Sequence, residues 1–394
     1  MKNLETLIQE LCPDGVEFVK LGDVCEIKTG KGITQKDCSE SDKYPVYSGG
    51  KEPMGYYKEF NRNANTVTVS RVGAYAGFVN YVTEDFYLND KCFSVLPKKD
   101  EDINSKYLYY KLKALECSII NMQSGGGVPT INTKKVGSLE IPLPPIKVQT
   151  EIVRILDKFT SLEAELEAEL DCRKRQYEYY RDKLLSFENV GGQEVEWKKM
   201  SEVGTFIRGN GLQKKDFTES GVGCIHYGQI YTKFNTFTDK TLTYCSENVA
   251  RKLTPVHPGD LIIACTSENV EDVCKTVAWL GKEDIVTGGH ACVFSHHENP
   301  KYIAYLLQTE NFFQQKKKYA RGVKVIDIKV ADLQKITLPI PSLEEQHRIV
   351  SILDRFESLT TSLQSGLPAE IAARRQQYEH YRDKLLTFKR KGAA

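Results

Sequence analysis

A chain of 394 residues, 40% apolar and 27% charged, has an ordinary globular composition and is long enough for two or three domains, each with a sizeable core. No apolar run approaches a membrane span, the opening MKNLETLIQE lacks a secretory core, and eleven scattered cysteines without a CxxC pair read as reduced thiols, so a cytoplasmic protein is expected. The net charge is +1 and no domain-sized segment is basic overall, which excludes a uniformly cationic nucleic-acid binder; a DNA surface here has to be a clustered face.

Residues 1–145 read as a first globular unit, with short β-like runs punctuated by glycine, such as TVTVSRVGAYAGFVNYV at Thr66–Val82, and one late helix around Ser105–Leu115. Residues 146–188 read as a long helix entered through IPLPP. Its apolar residues Ile152, Ile155, Phe159, Leu162 and Leu166 step alternately by three and four, the narrow seam of a coiled coil, and Tyr177 and Leu184 extend it. After a short polar linker at Asn189–Gln193, residues 189–341 form a second globular unit, with GDLIIACTS at Gly259–Ser267 and a helix around Pro300–Lys317. Residues 342–394 return the long helix. Its seam is Ile349, Ile352, Phe356, Leu359 and Leu363, then Tyr378 and Leu385 beyond a short insertion at Ser365-Gly366-Leu367-Pro368, where Gly and Pro should break or kink it.

The globular units repeat as well. VEFVKLGDVCEIKTGKGITQKD at Val16–Asp37 aligns without gaps with VEWKKMSEVGTFIRGNGLQKKD at Val195–Asp216, pairing Gly30 with Gly209 and Asp37 with Asp216. The halves then diverge, meeting again at Tyr107 and Tyr110 against Tyr302 and Tyr305, and at Gly127-Val128 against Gly322-Val323. The expected fold class is α+β: two mixed α/β globular domains, each with a largely antiparallel sheet, alternating with two long antiparallel coiled-coil helices in a pseudo-twofold arrangement.

Catalytic spacings are missing. Gly30-Lys31-Gly32 is not followed by the Lys-Ser/Thr of a phosphate loop, and no HExxH, serine elbow or Cys–His pairing stands out. His290, Cys292, His296 and His297 make half of a metal cluster with no second ligand pair, and Glu196-Trp197-Lys198 reads as exposed residues of an edge strand. No metal or catalytic residue is assigned.

Reading DNA needs phosphate clamps for register and side chains that reach base edges, and glycine-rich turns let a backbone approach phosphates closely. The first unit offers Lys28 and Lys31 around Gly30, then Tyr47, Ser48 and Lys51, then Arg71 and Tyr75 after a β run, and finally Gln123, Ser124 and Lys134. The second offers Arg208, Asn210 and Lys214, then Tyr227 and Gln229, Thr266 and Ser267, and the basic run Lys316, Lys317 and Lys318 with Arg321 and Lys324. Arg71 and Arg321 suit guanine; Gln123, Asn210 and Gln229 suit adenine. The bland alternative for each is a solvated turn.

Two dissimilar globular units alternating with two similar helices, marked by IVRILDKF and IVSILDRF and by RQYEYYRDKLLSF and RQQYEHYRDKLLTF, resemble the specificity subunit of type I restriction–modification systems over essentially the whole chain. The openings ELCPDGVEF and GGQEVEWKKM look like that family's lead-in to each recognition domain. The resemblance implies two target recognition domains, each binding one half of a bipartite sequence in double-stranded DNA, with helices as spacer and docking rail for two modification (methyltransferase) subunits and, through them, restriction subunits. S-adenosylmethionine, ATP and Mg are then expected on those partners and no cofactor on this chain. A helix of about 40 residues spans roughly 60 Å, enough to act as a ruler, and the surfaces around Arg173–Gln176, Tyr179, Arg374–Gln377 and His380 are expected to meet partners. Two other readings stay open: a coiled-coil scaffold whose globular units bind peptides, and a metal-dependent enzyme using His290, Cys292 and His296.

Overall fold

The computed structural model of the protein describes residues 2–124, 127–187, 195–361 and 366–392. By its internal contacts the chain forms two compact units, Met1–Glu167 with Glu370–Ala394 and Ala168–Ala369, so each holds one globular portion and parts of both long helices.

In the first unit, a four-stranded antiparallel sheet runs in the order Cys25–Thr29, Cys92–Pro97, Thr66–Ser70, Val79–Val82. Every residue of Thr66–Ser70 is buried, because helices cover one face and a second small sheet the other. That small sheet pairs Tyr44–Tyr47 antiparallel with Tyr56–Tyr57 and parallel with Tyr87–Leu88. The second unit enlarges the same plan. Its main sheet runs Gly204–Arg208, Ala291–His296, Leu261–Ala264, Thr276–Trp279, Phe237–Thr238, and only the last pairing in it is parallel. Its companion sheet joins Val222–Ile225 in parallel with Ile285–Thr287. The fold is α+β, as the sequence implies. The late helix of the first unit is Ser105–Ala114, whereas that of the second is two pieces, Pro300–Leu306 and Glu310–Lys317, because the Thr309 hydroxyl caps a fresh helix start by accepting from the Phe312 N–H.

The repeated tyrosines seat each long helix on its globular portion. Tyr107 donates to the Pro142 carbonyl at 3.0 Å, and Tyr302 to the Pro339 carbonyl at 2.9 Å. Tyr110 and Lys106 both reach Asp157, as Tyr305 and Lys301 both reach Asp354. Gln149 accepts from the Asn104 N–H while donating to Pro144, and Gln346 does the same with Asn299 and Pro341. Asp157 and Asp354 are half-buried, and a lysine and a phenol on each offset the partial desolvation of the carboxylate.

The first long helix, Ile146–Ser186, is continuous over 41 residues. Its opening differs from the narrow seam expected: Val148, Ile152, Val153, Ile155 and Leu156 are all buried in the globular core, a face too wide for a coiled coil. Ile349, Val350 and Leu353 repeat this in the second unit, where Ile352 is half-buried. Pairing of helices begins beyond these faces. In the first unit Phe159 stacks on Tyr381 with centroids 5.4 Å apart, and Arg375 bonds Glu163 at 2.5 Å and Glu167 at 2.7 Å. Those contacts run in opposite chain directions, so the segments are antiparallel. Tyr378 and Leu385 pack on the same core, while Leu162 is 45% exposed and Leu166 half-buried. In the second unit Tyr180 stacks on Phe356 at 6.0 Å, Tyr177 is buried, Leu184 packs on the core and Leu359 is 54% exposed. The second long helix is described as Leu343–Thr361 and Leu367–Leu385, with Gly366 outside both; Leu363 and Ser365 lie outside the described residues, as does the linker Asn189–Gln193.

The chain end closes the first unit. The Val16 N–H donates to the Lys389 carbonyl, the Lys391 N–H donates to the Val16 carbonyl, and Arg390 pairs with Glu140 while lying over the Phe18 ring.

Candidate nucleic-acid interface

In the first unit, turns at one end of the sheets converge through backbone hydrogen bonds. The Lys31 N–H donates to the Leu88 carbonyl, the Asn89 N–H to the Tyr47 carbonyl, the Arg71 N–H to the Lys91 carbonyl, and the Ile131 N–H to the Arg71 carbonyl. Lys31, Lys51, Arg71, Tyr75 and Ser124 are exposed on this end. The Lys51 ammonium sits 5.4 Å from the Tyr75 ring centroid, so the two form one cationic, aromatic feature. Gly73 and Gly127, both at positive φ, face open space, and their bare backbone is accessible to a ligand. Gly30 is needed for another reason: a Cβ there would strike the Leu88 carbonyl, so its glycine serves internal packing.

In the second unit the equivalent turns meet the same way. The Gly209 N–H donates to the Ala291 carbonyl, the Cys265 N–H to the His290 carbonyl, and the Tyr231 hydroxyl to the Thr266 carbonyl. Thr266-Ser267 pairs with Ile326-Asp327, bringing the Arg321–Val325 turn alongside. Together Tyr227, Tyr231, Ser267, Glu268, His290 and Val325 line a recess of about 580 Å³. Tyr227 packs its ring between His226 at 4.5 Å and His290 at 5.0 Å. Arg208, Asn210, Lys214 and Lys324 are exposed on the flanking turns, and exposed Arg321 makes a 3.4 Å contact with Asp332.

Several sequence candidates are occupied elsewhere. Lys316 does not share a surface with Lys317 and Lys318. It is buried, its ammonium donates to the Glu271 and Val273 carbonyls, and burial pushes its pKa down; Lys317 and Lys318 are exposed. Gln229 is a helix cap whose Oε1 accepts from the His226 N–H, and the Gln123 amide donates to the Ala76 carbonyl. Ser48 is buried and its carbonyl accepts from the Cys92 thiol; Thr266 is buried as well. Lys28 pairs with Glu26 at 2.7 Å, and Lys134 lies in the short helix Thr133–Gly137 behind its Asn132 cap. Arg375, expected to face partners, is held by the two glutamates named above. Gly125 and Gly126 lie outside the described residues.

Sequence reasoning passed over Lys91 and Glu268, and weighed His290 only within a half-formed metal cluster that it did not assign. The signal for Lys91 is the polar break Asn89-Asp90-Lys91 between two β runs, but its counterpart Gly288-Gly289-His290 shares no residue with it. Among the described residues no group of three or more His, Cys, Asp or Glu side chains is placed to hold a metal ion. Cys292 lies in the core and both His296 ring nitrogens are buried without partners. Among the described residues no helix is long and apolar enough to cross a membrane.

Comparison with known proteins gives the same picture. Two stretches, residues 13–171 and 193–373, match the family model described as the type I restriction modification DNA specificity domain. The chain is 32% identical to the EcoR124I/EcoR124II type I restriction enzyme specificity subunit of Escherichia coli, over 98% of this chain and 97% of that one. It is 29% identical to a putative type I restriction enzyme specificity subunit of Haemophilus influenzae, over 98% and 100%. Two solved structures share its fold at 16% identity. One is the S subunit of a type I restriction–modification system from M. genitalium, with a TM-score of 0.55 over 94% of this chain and 96% of that one. The other comes from work on complex assembly and conformational transition of the type I R-M system, with a TM-score of 0.63 over 94% and 97%. The chain belongs to the type I restriction–modification DNA specificity family and is a DNA-specificity subunit of such a system.

Proposed function

We propose that each globular portion reads one half of a bipartite, asymmetric DNA target through its convergent turns, that the continuous helix Ile146–Ser186 sets the gap between the halves, and that the outer helix faces dock two methyltransferase subunits and, through them, the restriction subunit. The observation that carries this is the duplication of one turn cluster on two divergent sequences: the backbone that presents the turns is repeated, while the side chains presented differ. Exposed cations there, Lys31 and Lys51 in one unit and Arg208, Lys214 and Lys324 in the other, supply phosphate contacts, and Arg71 and the turn residues between them face base edges. Residues 1–145 and 189–341 would act as the recognition domains, and residues 146–188 and 342–394 as the spacer. Methylation itself belongs to the partners. Competition binding of the assembled methyltransferase, with this chain in it, to duplexes carrying one or both half-sites tests the reading. Tight binding is expected only when both halves are present at the natural gap, and equal binding to a single half-site contradicts it.

A further inference from the structure

The two reading ends share a backbone and differ in chemistry. Three hydrogen bonds fix the correspondence: Gly30 to Cys92 matches Gly209 to Ala291, Arg71 to Lys91 matches Cys265 to His290, and Ile131 to Arg71 matches Ile328 to Cys265. Arg71 is thereby equated with Cys265, and Lys91 with His290. Two exposed cations at the centre of the first end become, in the second, a buried thiol and an imidazole. The pairings of Val72 with Thr130 and of Thr266 with Asp327 hold the register one residue further on. Beyond them, Gly73-Ala74-Tyr75 of the first unit corresponds in position to Ser267-Glu268-Asn269 of the second.

Glu268 is the odd residue in this set. It is exposed, lines the recess with Tyr227 and His290, and makes no hydrogen bond or ion pair among the described residues. Its neighbour Asn269 is committed, bonding Asp272 through both ends of its amide. His290 holds φ at 66°, a backbone conformation that β-carbon residues adopt at a cost and that concentrates at functional sites. A free carboxylate on a DNA-facing end is repelled by phosphates unless a base offers it a donor. In the major groove the exocyclic amino group of cytosine is such a donor. Adenine sets an acceptor, N7, beside its amino group and so favours an amide over a carboxylate.

Resting on the two-headed reading above, we infer that Glu268 determines specificity by accepting a hydrogen bond from cytosine N4 in the half-site read by the second unit. Arg71 and Lys91, at the centre of the other end, donate to guanine O6 and N7 in the half-site read by the first. The two halves of the target are discriminated by opposite hydrogen-bonding polarity. Glu268 accepts in one head and Arg71 donates in the other, so exchanging either for a neutral side chain relaxes one G·C position and leaves the other half untouched.

Modified-base sequencing of DNA from cells carrying this chain with its modification partner tests the assignment, using wild type, Glu268→Ala, Glu268→Gln and Arg71→Ala. Glu268→Ala is expected to cut the preference for a single G·C pair in one half-site about tenfold or more. Glu268→Gln, which keeps the shape of the side chain, is expected to move that position toward A·T. Arg71→Ala is expected to relax a G·C position in the other half. A motif unchanged in both Glu268 variants, or a second-unit half-site with no G·C pair, overturns the inference. An undivided wild-type motif, or Arg71 and Glu268 variants that alter the same half, instead overturns the two-headed reading beneath it.

Discussion

Tyr305 shows how a single side chain ties a reading head to its helix. Its hydroxyl lies 2.7 Å from both the Asp354 and the Glu357 carboxylates, with one proton to donate to either, and Glu357 also accepts from the Thr236 hydroxyl beside the main sheet. Tyr305→Phe removes the donor shared by the Asp354 and Glu357 carboxylates and is expected to destabilise the chain by about 1–3 kcal/mol, read as a lower urea midpoint with an unchanged slope. Tyr110→Phe in the first unit is expected to cost less, since each aspartate keeps its lysine but, among the described residues, the Tyr110 hydroxyl contacts only the one carboxylate. His296 makes a pH-dependent prediction. Burial, only partly offset by the Asp260 and Glu298 carboxylates, pushes its pKa down to about 4. The unfolded chain takes up that proton near pH 6.5 and the native imidazole does not, so the stabilisation is complete above pH 6.5 and is lost as pH falls toward 4, by about 3 kcal/mol in all. Urea midpoints across that window are expected to fall for wild type and to stay flatter for His296→Phe. At this scale the sequence was legible in part. The repeat exposed Tyr107, Tyr110, Tyr302 and Tyr305 as equivalents, but nothing local distinguishes buried Lys316 from exposed Lys317 and Lys318. That difference depends on where the Glu271–Val273 carbonyls come to rest.

The long helices change character along their length, and periodicity alone does not say where. Steps of three and four mark Ile152 and Ile155 as a seam, yet a globular core widens the buried face around them, because Val153 and Leu156 join in. The helix start at Leu367 has a local cause, since Gly366 and Pro368 both disfavour a helix interior while Pro is tolerated in a first turn. Arg375 was legible as a charge and not as a clasp, because Glu163 and Glu167 come from a distant segment. Arg375→Glu sets three carboxylates together and is expected to weaken the antiparallel pair in the first unit, lowering the urea midpoint. Arg175→Glu disturbs only an exposed i,i+4 pair with Asp171 and is expected to be nearly neutral for folding. Lengthening the first helix is the sharper test of its role. Four residues inserted within Ala164–Glu169 add about 6 Å, roughly two base pairs of rise. The methylated motif is then expected to gain one or two base pairs in its gap with both half-sites intact; altered half-sites with the original gap contradict the ruler.

At the scale of the whole molecule, a chain without strong net charge needs cations concentrated on one face to bind DNA, and the proposed place for them is where the turns meet. The assembled complex is therefore expected to lose affinity linearly in the logarithm of salt concentration. Neutralising Lys31 together with Lys51 should lower that slope by about two, seen in gel shifts across a salt series. The alternation of two unlike globular segments with two like helices was already readable because duplicated sequence survives in the parts that hold each unit together. The equivalence of the turns was hidden, since backbone geometry is kept there while residues change, as Lys91 against His290 shows. The central claim is that the two heads read independently. Replacing residues 195–341 with the corresponding segment of a relative, then sequencing modified bases from cells that also carry the modification partner, tests it most directly. The account predicts that one half-site changes while the other half-site and the gap stay as they were; a change in both halves, or in neither, contradicts it.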